Sequence, residues 1–127
     1  VTEAQHQTNI FKWALQPSVR SKYPCLKLLH HIPNGGSRNK IEAANLKRQG
    51  VKAGVPDLHL PVARGQYHSL YIELKNETGT TSSEQEWWGD ELSKENNFCE
   101  VCHGWESAVR VVEWYLNLGG YNGHQRP

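Results

Sequence analysis

Residues 54–75 read Gly54-Val55-Pro56-Asp57-Leu58-His59-Leu60-Pro61-Val62-Ala63-Arg64-Gly65-Gln66-Tyr67-His68-Ser69-Leu70-Tyr71-Ile72-Glu73-Leu74-Lys75. Two apolar-alternating runs, 57–62 and 67–75, flank a tight stretch at Arg64-Gly65-Gln66, which is the pattern of a β-hairpin. Leu58, Leu60 and Val62 fall on one face, and Leu70, Ile72 and Leu74 on the same face of the return strand. The other face carries Asp57, His59, Tyr71, Glu73 and Lys75. A turn centred on Gly65 sets Asp57 directly opposite Glu73. Cross-strand neighbours have Cβ atoms about 4.5–5.5 Å apart, and two like charges there are unfavourable unless a cation lies between them. A hard divalent ion, Mg2+ or Mn2+, is the natural counter-charge because it takes carboxylate and water oxygens. Lys75, two residues after Glu73, projects on the same face and brings a donor that can hold a water or offset developing negative charge. Read alone, a Glu-x-Lys on a hairpin is also what a solvated sheet face carries, and Asp57 after Pro56 is also an ordinary turn residue.

Outward from the hairpin, residues 2–16 predict a helix: Thr2 and Gln5 suit a capping box, Ile10, Phe11, Ala14 and Leu15 form a stripe, and Pro17 ends it. Residues 26–32 predict a strand, closed by Pro33 and the turn-forming Asn34-Gly35-Gly36. Residues 39–49 predict a second helix with Ile41, Ala44 and Leu46 inward and Lys40, Lys47 and Arg48 outside. After the hairpin, Ser82 with Gln85 opens a third helix through Glu86, Trp87, Trp88 and Leu92; residues 98–103 predict a strand and 106–118 a last helix. Strands interleaved with helices give an α/β (α+β) class, a central mixed sheet flanked by helices. The domain is expected to span 1–118, with 119–127 a flexible tail rich in Gly and Asn.

The 127 residues are enough for one domain, and five Trp with five Tyr can anchor its core although mean hydropathy is −0.71. The net charge of +1 excludes a uniformly basic coat. Its distribution is uneven. Residues 38–52 hold Arg38, Lys40, Lys47, Arg48 and Lys52 against Glu42 alone, whereas 84–106 hold seven acids against Lys94 alone. No 18-residue apolar window and no secretory N-terminus are present, and three cysteines are odd for a disulfide framework. The expectation is a soluble cytoplasmic protein with reduced thiols and no membrane partner. Cys99-Glu100-Val101-Cys102-His103 spells a haem-attachment motif, but strand alternation puts the two cysteines on opposite faces and the chain has no Met, so packed thiols and no haem are expected. A zinc site there would need further ligands, with His103 and Cys25 conceivable.

Pro56-Asp57 followed by Glu73-Leu74-Lys75 resembles the core of the PD-(D/E)xK nucleases. The fuller set, Asn34-Gly35-Gly36, Arg38, Gly50-Val51-Lys52-Ala53-Gly54-Val55-Pro56-Asp57-Leu58, Glu73-Leu74-Lys75, Gly79, Ser82 and Gln85, is similar to the virus-type replication-repair nuclease (VRR-NUC) domain, from Glu3 to Leu118. The resemblance implies a restriction-endonuclease-like core. It also implies a metal held by Asp57, Glu73, the Leu74 carbonyl and Glu3, with Gln7 as partner to Glu3, an attacking water positioned by Lys75, and a site closed by Gln85. Glu3 is equally suited to the first turn of a helix, and Gln85 to the Ser82 capping box.

The chemistry expected is Mg2+- or Mn2+-dependent phosphodiester hydrolysis, with Arg38, Lys40, Lys47, Arg48 and Lys52 gripping phosphates and no base-reading element in sight. Standalone VRR-NUC domains of this size resemble phage proteins, which implies host cytoplasm. Structure-selective cleavage of Holliday junctions or other branched DNA follows. Symmetric cutting of a junction needs two sites, hence a homodimer, for which surplus tryptophans are available. A flap- or single-strand-directed nuclease and a catalytically inert DNA-binding module remain as alternatives.

Overall fold

The computed structural model describes residues 1–33 and 39–123. Its elements are α1 (Glu3–Leu15), α2 (Pro17–Lys22), a 3-10 turn (Pro24–Leu28), β1 (His30–His31), α3 (Lys40–Arg48), β2 (Leu58–Leu60), β3 (Leu70–Lys75), α4 (Ser83–Lys94), β4 (Phe98–His103) and α5 (Trp105–Leu116). The Asn34-Gly35-Gly36 turn and Arg38 lie outside the described residues, as do 124–127.

Strand order is β1-β2-β3-β4. The hairpin pairs β2 and β3 antiparallel with Leu58 opposite Ile72, His59 opposite Tyr71 and Leu60 opposite Leu70, the register read from the sequence. β4 returns parallel to β3 through α4, so the sheet is mixed. Leu58, Leu60, Leu70, Ile72, Leu74 and Cys102 point to one face, where Ile10 and Ala14 of α1 and Ala108, Val112 and Tyr115 of α5 bury them. Burying each such side chain is worth about 1.5–3 kcal/mol. Tyr115 keeps its hydroxyl satisfied by donating to Val62 O at 2.6 Å. The opposite face, with Tyr71, Glu73, Cys99 and Val101, is roofed by α4.

Both expected capping boxes form: Thr2 Oγ1 accepts from Gln5 N–H at 3.1 Å and Gln5 Oε1 from Thr2 N–H at 2.8 Å, with the same exchange between Ser82 and Gln85. Two sequence expectations need correction. The apolar run 26–32 is not a strand through its length; Pro24 starts a 3-10 turn and only His30–His31 pair with β2. A short apolar run does not distinguish strand from turn by itself. Pro17 bounds α1 as expected, since that helix ends at Leu15, and then sits at the first position of α2, where its missing N–H costs nothing. α3 forms, but its inward face is not inward: Ile41 is 78 % exposed, Ala44 is exposed and only Leu46 is half-buried. Beyond α5, Gly119 O accepts from Gly65 N–H (3.2 Å) and Gly65 O from Asn122 N–H (2.7 Å), so residues 119–122 are hydrogen-bonded to the hairpin turn.

Candidate active site

Asp57 and Glu73 meet at the open end of the hairpin. Leu74 N–H donates to Asp57 Oδ2 at 2.8 Å. Continuing the β2–β3 register by two residues places Pro56 opposite Leu74. In an antiparallel ladder a residue exchanges both its N–H and its C=O with the same partner. Proline has no N–H to give, so the Leu74 carbonyl gets no ladder donor from that position and opens beside the Asp57 carboxylate. This is a signal in the sequence that pattern reading did not use: the proline of Pro-Asp frees the carbonyl of the central residue of Glu-x-Lys.

Glu73 and Lys75, assigned by periodicity to the face away from the core, are nearly inaccessible, 6 % and 8 % exposed. Gln85 does this for Glu73 at the start of α4. Its Oε1 accepts from Ser82 N–H at 2.9 Å while its Nε2 donates to Glu73 Oε2 at 3.2 Å, so one amide caps the helix and fixes the carboxylate. Over Lys75 passes Gly79, where a Cβ would lie 3.3 Å from the lysine stem. The other oxygen, Glu73 Oε1, is buried without a hydrogen-bond partner. Burial pushes the Glu73 pKa up to about 9, helped by its hydrogen-bonding contact with Asp57 and by the charges of Asp57 and Glu3, and opposed by Lys75. Without a cation Glu73 holds its proton at neutral pH.

Glu3 is exposed at the start of α1, close enough for its charge to be felt by Glu73. Among the described residues no three acidic, histidine or cysteine side chains converge as a ready metal cluster, so Glu3 is not gathered into contact with the pair. Its helix is anchored one turn further on, where buried His6 accepts Trp105 N–H at Nδ1 (3.1 Å) and turns Nε2 toward the Glu77 carboxylate at 3.4 Å. Gln7 is half-buried beside it. The donor set suits a hard divalent ion: two carboxylates, one with an unpartnered oxygen, and a backbone carbonyl with no ladder donor.

Asp57 is positioned by the loop before it. Gly54 has φ +91°, and a Cβ there would lie 2.7–2.9 Å from the side chain and backbone of Glu84. Trp88 Nε1 donates to Ala53 O at 3.1 Å, a second tie between this loop and α4. Gly54→Ala therefore has to push the loop off α4 as well as strain the backbone. It is expected to cost about 2–4 kcal/mol of stability in a denaturant titration, whereas an unchanged midpoint would mean the contact is not tight.

Lys40, Lys47, Arg48 and Lys52 are all exposed, on α3 and the loop leading to Asp57. Arg48 bonds the side chain of Asn45 on its own helix. On β4, Cys102 is buried in the core while Cys99 faces the other side with Tyr71. Burial raises both thiols above their ordinary pKa, Cys102 to about 12, which suits packed, unreactive side chains. Beside the carboxylates runs a row of rings. His30 meets His59 edge-on at 5.2 Å, and His59 stacks on Tyr71 at 4.1 Å and 13°. Ser69 donates to Asn97 (2.6 Å) and so accepts from His59 Nε2–H at 3.0 Å; burial and His30 hold this imidazole below its ordinary pKa.

A mixed sheet with an acid at the end of one hairpin strand and a Glu-x-Lys on the next, its glutamate covered by one helix, defines a nuclease core of the PD-(D/E)xK class. The family model described as VRR-NUC domain matches residues 1–106. A solved structure titled "VRR_NUC domain protein" is 33 % identical, superposes with a TM-score of 0.82, and covers 100 % of this chain and 98 % of its own. No curated protein matches. The chain belongs to the VRR-NUC family of nucleases. Among the described residues no helix is long and apolar enough to cross a membrane.

Proposed function

We propose that the chain is a Mg2+- or Mn2+-dependent, structure-selective DNA endonuclease acting on Holliday junctions or other branched DNA as a homodimer. The observation that carries the reading is the buried Glu73 carboxylate, its Oε1 unpartnered, set against half-buried Asp57. Asp57, Glu73 and the Leu74 carbonyl would hold the ion, with Glu3 reaching it through water. The ion, when bound, supplies Lewis-acid polarisation of the phosphate and acidifies water. Lys75 holds the water that attacks phosphorus and places positive charge where the phosphorane gains negative charge. Gln85 keeps Glu73 in the rotamer that faces Asp57. Arg38, Lys40, Lys47, Arg48 and Lys52 bind flanking phosphates, which sets register and makes affinity salt-dependent.

Selectivity for shape over sequence is favoured because, among the described residues, no helix or ribbon presents spaced base-reading side chains beyond the site. Pairing is favoured by the need for two cuts at a junction. Trp87 and Trp114, 57 % and 47 % exposed, offer aromatic surface for it. The test is cleavage of a four-way junction, a flap, single strands and linear duplex in Mg2+ or Mn2+, beside light scattering at micromolar concentration. Junction nicking by a species of twice the chain mass is expected. A monomer removes the pairing, preference for flaps or single strands moves the substrate, and binding without cleavage leaves an inert DNA-binding module.

A further inference from the structure

A cavity of about 310 Å3 lies between α4 and the sheet, starting at Glu73 and running past the carboxylates. Its floor is Tyr71, Cys99 and Val101, and its roof is Gly89 and Ser93 of α4. Tyr71 is two strand residues from Glu73, about 7 Å. One face of the Tyr71 ring is stacked on His59, which leaves the opposite face to line the cavity. The roof is high because of Gly89, where a side chain would enter open space with nothing within 4 Å.

The chemistry of the lining is selective. Among the described residues no Lys or Arg borders the cavity, so it does not track phosphates. Its lining is mostly apolar, and the charges around it are carboxylates, including Asp90 and Glu86, which matches a flat, neutral ring that carries N–H donors at its edge. We propose that this slot receives one unpaired nucleobase of the nucleotide next to the scissile phosphate, laid on Tyr71, with amino-bearing bases preferred to thymine. The proposal rests on the nuclease reading above and deepens it. A base still stacked in duplex cannot pass beneath α4, whereas a branch point presents displaced bases without the cost of unpairing them. The slot thus gives structure selectivity a physical source: the enzyme cuts where a base is already free to leave the stack.

The experiment compares kcat/KM on a branched substrate carrying adenine, thymine or an abasic residue at each nucleotide flanking the cut. The same DNAs are titrated by fluorescence anisotropy in Ca2+. The parent is expected to lose about 5- to 150-fold with the abasic residue at one of the two positions, the factor typical of a base stacked on an aromatic ring. Thymine should fall between. Gly89→Leu fills the slot and replaces a helical glycine with a stronger helix former, so folding survives. This variant should cleave the intact substrate at the abasic level and lose nothing further on the abasic one. Indifference of the parent to the abasic residue at both positions overturns the proposal, and so does a Gly89→Leu variant that keeps the parent's ratio. If the parent cleaves no DNA the nuclease reading fails, and the Ca2+ binding ratios still decide the slot.

Discussion

Lys75→Met lowers phosphodiester cleavage by about a hundred- to ten-thousand-fold, the range for losing a positioned donor or one oriented cation at a developing charge. The side chain is 8 % exposed, and its stem lies under Gly79. Methionine fills nearly the same space without the ammonium, so the loss reports chemistry and not collapse of packing. Metal binding should persist in a weakened form. The Lys75 charge opposes the upward shift of the Glu73 pKa, so its removal makes the Glu73 proton harder to displace. The measurement is single-turnover cleavage alongside calorimetric titration with Mn2+ at two pH values. Cleavage within tenfold of the parent would remove Lys75 from the mechanism.

Glu73→Gln is expected to abolish detectable cleavage and metal binding and, at alkaline pH, to make the metal-free protein more stable. The sign follows from the carboxyl's ordinary pKa of 4.5 and its value of about 9 in the fold. Between those limits the unfolded chain releases a proton that the fold keeps, so stability is full below 4.5 and is lost as pH rises through 9. Glutamine does not titrate and keeps the neutral form's shape. In EDTA the two proteins should melt together near pH 4.5, while near pH 9 the variant should melt a few degrees higher. Mg2+ or Mn2+ should then stabilise the parent alone, because the variant lacks the proposed carboxylate ligand. Equal melting differences at both pH values, or equal stabilisation by metal, would show that Glu73 is neither the proton holder nor a ligand.

How much of this was readable in advance differs by element. The hairpin register was legible because side-chain alternation and a Gly-centred turn are local, and they placed Asp57 against Glu73 without any other part of the chain. The capping residues of α1 and α4 were legible for the same reason, whereas the contact of Gln85 with Glu73 was implied only by the family resemblance. The run 26–32 was not, since a few apolar residues after a proline fit a strand and a 3-10 turn alike. α3 misled differently. Its apolar positions have helical spacing, yet Ile41 is exposed because the elements that cover a helix face are chosen by topology and not by the helix.

The same division runs through the site. The residues by themselves determined that two carboxylates and a lysine share one sheet face, that their neighbours across the strand are fixed, and that Pro56 has no hydrogen to give Leu74. These are consequences of a two-residue period and of covalent structure. Only the tertiary structure decided that this face is buried. α4, joined to the loop at Gly54 and Trp88, closes over Glu73 and turns a surface carboxylate into one whose pKa stands near 9. Desolvation depends on every atom within several ångströms, whatever its distance along the chain. A hairpin thus states which charges meet, and the packing around it states what meeting costs and what must bind to relieve it.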